Sequence, residues 1–227
     1  MQTRLGQFHV TYHNKTEYHQ LKKEIFNEHT YYFETSNPAP VIIDAGAHIG
    51  LATLYFVKLY PHAQITAIEP NPTSFALLEK NMWDNNCDTV TTVHAALSNG
   101  DGETALWSDA DDEWLSTDSL YEGAWDRKQR TRPLTVPTQT LSGFLRHPVT
   151  LVKLDIEGYE NIVLSESEPF LKNIEHIIVE HHFRPDNTLH ECVALLEKQF
   201  SLELFQHGKQ VHHNHATRGL TRIVGKK

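Results

Sequence analysis

The pattern of apolar and polar residues divides the chain into a regular middle and two less regular ends. Residues 41–44 form a short continuous apolar run ending in Asp44, as expected of a strand buried on both faces. Leu51, Leu54, Tyr55 and Leu59 then recur near one face of a helix, and residues 65–69 repeat the strand pattern, ending in Glu69. Asn71-Pro72 supplies an N-cap and a proline at the first helical position, ahead of a helix with Phe75, Leu78 and Met82 on its stripe. Residues 89–94, rich in β-branched side chains, predict a third strand. Strands and helices alternating at this length give a parallel sheet with right-handed crossovers.

The alternation pauses between residues 98 and 138. Asn99-Gly100-Asp101-Gly102 is a turn cluster, and Trp107, Trp114, Tyr121 and Trp125 follow among acidic and small residues. Short strands or a hairpin lying over the ligand edge of the sheet are expected there, so the insertion at about 99–138 is assigned to the acceptor side. The pattern returns with a short helix at 141–145, a very apolar strand at 149–155, a helix, a strand at 176–180 and a helix at 189–198 striped by Leu189, Cys192, Val193 and Leu196. Residues 201–206 and 220–224 read as closing antiparallel strands. Residues 1–36 are expected to be a helical extension (Tyr18, Leu21, Ile25) packed on the outside, and 37–227 the main domain.

Composition narrows the possibilities. The 227 residues, 39% of them hydrophobic, suffice for one sheet covered on both faces. A net charge of -9 disfavours nucleic acid as a partner, because duplex binding needs a basic face. Cys87 and Cys192 are the only cysteines, so neither a disulfide framework nor a cysteine-rich zinc site is indicated. No leader-like or membrane-spanning run is seen, and the expectation is a soluble cytoplasmic protein without a membrane partner.

The turn Asp44-Ala45-Gly46-Ala47-His48-Ile49-Gly50 carries the first chemistry. A dinucleotide fingerprint uses three glycines to seat a pyrophosphate on a helix N-terminus. Here the first is missing and a carboxylate ends the strand, which repels a pyrophosphate but suits an ammonium and a sulfonium. S-adenosylmethionine is such a ligand. On this reading Gly46 lies against its methionine tail, Asp44 orients the ammonium directly or through water, and Glu69 holds the ribose hydroxyls. The bland alternative is a plain strand-to-helix turn ending in an acid.

Val41-Ile42-Ile43-Asp44-Ala45-Gly46-Ala47-His48-Ile49-Gly50, Ala67-Ile68-Glu69-Pro70-Asn71-Pro72, His94-Ala95-Ala96-Leu97-Ser98 and above all Val152-Lys153-Leu154-Asp155-Ile156-Glu157-Gly158-Tyr159-Glu160 resemble the FkbM family of methyltransferases. The last block, of form K-x-D-x-E-G-x-E, is the most specific of these. The resemblance covers about residues 35–182. It implies an α/β, Rossmann-like, seven-stranded methyltransferase fold with a mostly parallel sheet, helices on both faces and an antiparallel last strand. It further implies S-adenosylmethionine as cofactor and oxygen of a sugar or secondary metabolite as acceptor. By carry-over, Asp44, Gly46, Ala47, His48, Glu69, Pro70, Asn71 and Asp155 would contact the cofactor, and Ala95-Ala96 would line the adenine. His94 stands where an acid or amide commonly precedes the adenine edge, leaving the reader of the adenine amine unassigned.

Asp155 and Glu157 fall at the carboxyl end of the fourth strand, and alternation places them on one face. A hydroxyl acceptor must lose its proton around the time of attack, and a carboxylate or imidazole is the ordinary base. Glu157 is the first candidate, with Asp155 beside it and His182 and His181 as rivals. The alternative is that both acids cap the following helix. Two oxygen donors are too few to indicate a metal site. Ser119 and His181 are candidate acceptor contacts. The basic run Arg127-Lys128-Gln129-Arg130-Thr131-Arg132 and the tract His212-His213-Asn214-His215 read as solvated loops. A homodimer is one assembly compatible with the chain. Competing functions are a nicotinamide-dependent oxidoreductase, opposed by the missing glycine, and a non-catalytic S-adenosylmethionine-binding protein.

Overall fold

The computed structural model describes residues 1–110, 118–122, 131–212 and 219–227. Trp114, Trp125, Arg127-Lys128-Gln129-Arg130 and His213-Asn214-His215 therefore lie outside the described residues. The chain opens with a hairpin, β1 (Gln2–Leu5) and β2 (Phe8–Thr11), which runs into α1 (Lys15–Lys22) and then a π-helical turn at Lys23–Asn27. The Asn14 side chain accepts from the Thr16 and Glu17 amides and starts α1.

The alternating middle follows as β3 (Val41–Ala45), α2 (Leu51–Leu59), β4 (Gln64–Ile68), α3 (Pro72–Asp84) and β5 (Val90–Val93). Next come β6 (Ala96–Ser98) and the long pair β7 (Gly102–Asp109) and β8 (Thr131–Thr140). The remainder is α4 (Leu141–Phe144), β9 (Val149–Leu154), α5 (Glu160–Ser167), a 3-10 turn at Glu168–Asn173, β10 (Ile174–His181), α6 (Leu189–Leu196), β11 (Ser201–Gln206), β12 (Lys209–Val211) and β13 (Thr221–Lys226).

The central sheet has the order β12-β11-β13-β10-β9-β3-β4-β5. The β5-β4-β3-β9-β10 block is parallel, and β13 inserts antiparallel between β10 and β11. This is the Rossmann-like arrangement that the sequence implies, with eight strands rather than seven, because β11 turns back at residues 207–208 to pair with β12. Strand alternation divides the core between the two faces. Ile42 and Leu151 pack with Leu54, Leu78, Tyr18 and Ile25 on one side. Ile43 and Val152 pack with Val163, Leu171, Cys192 and Leu196 on the other. Successive strands depart from β3 in opposite directions, which opens a crevice between the carboxyl ends of β3 and β9.

Both less regular segments carry more structure than their sequence shows. The N-terminal segment contains a helix whose Tyr18 and Ile25 are buried in the first core, and a hairpin precedes it. The free edge of β2 is satisfied by amide side chains of α3, with His9 N donating to Asn85 Oδ1 at 2.8 Å and Thr11 N to Asn81 Oδ1 at 2.7 Å. Strands this short carry too little alternation to be read from sequence. The insertion is a separate sheet of order β6-β8-β7, whose two long strands pair from Gly102↔Thr138 to Asp109↔Thr131. Among the described residues no helix is long and apolar enough to cross a membrane.

Candidate active site

A cavity of about 400 Å³ occupies the crevice. Its first half comes from the two strand-to-helix turns after β3 and β4. Gly46 adopts φ +75°, and a Cβ there would stand 1.7 Å from the Asp155 carbonyl oxygen. Its glycine is therefore required by the adjoining end of β9, before any ligand is considered. Glu69 is 5% exposed; its Oε2 accepts from His48 N and its Oε1 from Asn71 N, both at 2.8 Å. Burial pushes its carboxyl up to about 8 against the pull of those two amides. Each oxygen keeps a lone pair for a hydroxyl donor. Ala47, His48, Pro70, Ala95 and Ala96 also line the cavity.

Asp44 and Asn71 are placed differently. Asp44 is fully buried beneath the turn; its Oδ2 accepts from Thr53 Oγ1 at 2.7 Å and its Oδ1 lies 3.2 Å from Lys153 Nζ. It does not line the cavity, so its effect on a ligand passes through Lys153, which does. The Lys153 ammonium also donates to Gly46 O at 2.7 Å and lies 3.6 Å from Asp155 Oδ2. Burial would discharge it, but Asp44, Asp155 and Glu180 outweigh that and raise its pKa. Asn71 caps α3, accepting from Thr73 N and Ser74 N, and holds Asp118 with its Nδ2. Both were drawn from local motifs that cannot show which way a side chain is claimed.

The second half gathers remote residues. His182 Nδ1 donates to Glu160 Oε1 at 2.9 Å, and its Nε2 faces Glu157 Oε2 at 3.4 Å and Asp155 Oδ1 at 3.9 Å. Glu160 is fully buried and also accepts from Gly158 N at 2.9 Å and Asn187 Nδ2 at 2.7 Å. Burial works against the His182 cation, yet Glu157, Glu160 and Asp155 lift it to about 10. Burial holds Glu157 well above the usual carboxylate range, with the His182 charge opposing and Asp155 adding to the rise. The Tyr31 hydroxyl, from the N-terminal segment, donates to Glu180 Oε1 at 2.6 Å and lies 3.1 Å from Asp155 Oδ2. Burial pushes Glu180 up to about 7, and Asp155 adds to the rise. The ligand-capable atoms of Asp155, Glu157 and His182 lie within 4.8 Å of one another, so the convergent donors number three rather than the two read from sequence.

Glu157 reaches this position through an unusual backbone, with φ +58°. Ser119 holds that backbone, donating from Oγ to Glu157 O at 2.7 Å while accepting from Tyr121 N at 3.2 Å. Ser119 is thus a tether under the wall and not a cavity residue, and His181 is likewise off the cavity. His181 is fully buried on the opposite face of β10 from Glu180, and burial lowers its pKa. Sequence reading missed Lys153 and Glu160 as working groups, although both stand in the K-x-D-x-E-G-x-E block. It missed Tyr31, Glu24 and Asp118 outright, since no local pattern marks them.

Residues 44–205 match the Methyltransferase FkbM domain. Methyltransferase sdnD of Sordaria araneosa is 30% identical, over 81% of this chain and 82% of its own length. The 2-O-methyltransferase NoeI of Sinorhizobium fredii is 26% identical, over 63% of this chain and 64% of its own. The crystal structure of methyltransferase FkbM from Methylobacillus flagellatus matches with a TM-score of 0.58 at 14% identity, covering 88% of this chain and 46% of that one, a likeness of fold alone. The matched span runs from the buried Asp44 past the His182–Glu160 pair, taking in the cavity's lining except the N-terminal residues from Gln20 to Tyr31 and Leu220, and the chain belongs to the FkbM methyltransferase family.

Proposed function

We propose that this methyltransferase uses S-adenosylmethionine and methylates a hydroxyl oxygen of a small sugar-like or secondary-metabolite acceptor. The observation that carries the reading is the meeting, in one cavity of about 400 Å³, of the buried acceptor pair of Glu69 with the cluster of Glu157, His182 and Asp155. The residues fit the cofactor: Glu69 offers two buried oxygens to a ribose diol, Ala95 and Ala96 offer an apolar floor, and Asp155, which lines the cavity, offers a carboxylate to a cationic tail. When bound, the cofactor would supply an electrophilic methyl group.

The rest falls to the chain. Positioning provides most of the acceleration in an in-line displacement with a neutral leaving group. Glu157 takes the acceptor's proton; its raised pKa makes it a stronger base than an ordinary carboxylate. His182, fixed by Glu160, stays charged and stabilises the ionised Glu157 before transfer. Glu24, Glu180 and Tyr31 border the acceptor space. The likeness to NoeI, a 2-O-methyltransferase, supports oxygen as the atom methylated. An acidic balance of -9 supports a small molecule over nucleic acid, and a cytoplasmic setting belongs to the same proposal.

The test is mass spectrometry after incubating the full chain with methyl-labelled S-adenosylmethionine and a panel of glycosides and hydroxylated metabolites. A labelled product carrying one added methyl on oxygen is expected. Methylation confined to nitrogen or sulfur acceptors would overturn the oxygen assignment, and no binding of the cofactor would overturn the whole reading.

A further inference from the structure

The base-binding end of the cavity has an acceptor group that no motif announced. Ala96 and Leu106 belong to a small core with Val136, on which Leu120 packs, and Ala96, Leu106 and Leu120 all line the cavity. Asp118 lines it with them and is 9% exposed. Ser119 bridges to Trp107, which brings Asp118 alongside Ser108 and Leu106. Asn71 donates to both acids, through its backbone N to Glu69 and through Nδ2 to Asp118 Oδ2. The Ser108 hydroxyl and the Asp109 backbone also support the carboxylate. Its Oδ1 is nevertheless buried with no hydrogen-bond partner among the described residues.

A buried acceptor without a donor is costly, so a position of this kind is built for a ligand that brings one. The flat faces of a purine suit the alanine and leucine walls. Adenine carries one strong donor on its ring system, the exocyclic amine. His94, at the expected place for its reader, is otherwise engaged: its Nε2 meets Pro70 O at 3.0 Å and its ring stacks on Phe75 with centroids 4.8 Å apart.

We propose that Asp118 Oδ1 accepts the hydrogen bond of the adenine amine, so that this one carboxylate sets the base specificity of the site. The inference rests on the cofactor reading above. It predicts rejection of hypoxanthine, which turns a carbonyl oxygen toward the same carboxylate and leaves the buried group unpaired.

Calorimetric titration of the full chain with S-adenosylhomocysteine and with S-inosylhomocysteine tests it. The wild type should prefer the adenine compound by at least about tenfold, or ~1.4 kcal/mol. Asp118→Ala should bring the ratio of the two affinities toward one. Asp118→Asn, nearly isosteric, keeps an oxygen for Asn71 and turns an amide donor to the base, so the preference should reverse toward the inosine compound. Equal binding of both compounds by the wild type overturns the proposal. So does an unchanged ratio in both variants, or a uniform weakening of both ligands, which would place Asp118 against the shared ribose. A wild type that binds neither compound overturns the cofactor reading itself, and the proposal with it.

Discussion

The two halves of the cavity are built by different rules. The nucleoside half is local: Gly46, Ala47, His48, Glu69 and Pro70 come from two turns at the ends of adjacent strands, and their hydrogen bonds cross β3 and β4 directly. The reaction half is assembled over distance: Tyr31 meets Asp155 and Glu180 across 124 and 149 positions, and Ser119 meets Glu157 across 38. Backbone geometry fixes the first half, whereas side-chain charge and tethering fix the second. Ligand binding should therefore be robust to changes that abolish turnover, except where the halves touch.

They touch at Gly46 against the Asp155 carbonyl, and breaking that contact should have the largest effect. Gly46→Ala imposes both a left-handed strain and a backbone collision, and should cost at least about 3 kcal/mol. Thermal denaturation should show it, and cofactor binding and turnover should fall together. Glu157→Gln separates the halves instead. It should lower kcat by about 10²-fold or more while calorimetry finds cofactor affinity within about threefold of wild type, because Glu157 belongs to the reaction half. Retained turnover would take Glu157 out of the chemistry.

Ser119→Ala sharpens the comparison further, because it removes a tether and no cavity group. Of the two hydrogen bonds lost, the one to Glu157 O is worth about 1 kcal/mol to the placing of that residue, which should lower kcat about fivefold and leave cofactor affinity unchanged. A loss of affinity equal to the loss of kcat would show that Ser119 supports the whole cavity. A separate effect, on stability, is expected from pH. Glu69 and Glu180 have folded pKa values raised above those of the unfolded chain, and so does His182. For all three the folded state holds its proton more tightly, so stability declines as pH rises toward the folded values. Between pH 7 and 8 the buried His48, His176 and His181, whose pKa values are lowered, are mostly neutral in both states and add little opposition. The ligand-free protein should lose on the order of 5 °C in Tm across that window. A flat or rising Tm would show that these groups titrate normally.

The same division explains what could be read from the sequence. The strands and helices between Val41 and Asp84 were legible because one face or both are buried over several turns, and burial imprints periodicity on the residues. Glu69 was legible because its position at a strand end already determines which way it faces. Asp44 was misplaced because its neighbour across the strands, Lys153, is 109 positions away, and the carboxylate answers to that cation. Asn71 carries two readings in the sequence, helix cap and ligand contact, and its side chain serves the cap. His181 and His182 are adjacent in sequence, but the pleat of β10 and the tether to Glu160 send only His182 into the cavity. The hairpin before α1 was missed for want of length, and Asp118 because its surroundings come from β7 and the β4–α3 turn.

By itself the sequence determined the alternation of elements, the parallel sheet, the crevice at its switch point and the acids at two strand ends, all consequences of burial and turn chemistry acting over a few residues. Only the tertiary structure decided which charges are spent on one another. Asp44 is neutralised by Lys153, and His182 is aimed by Glu160, because oppositely charged groups taken out of water must find partners wherever the fold brings them close. That choice depends on distances of a few ångströms between segments far apart along the chain.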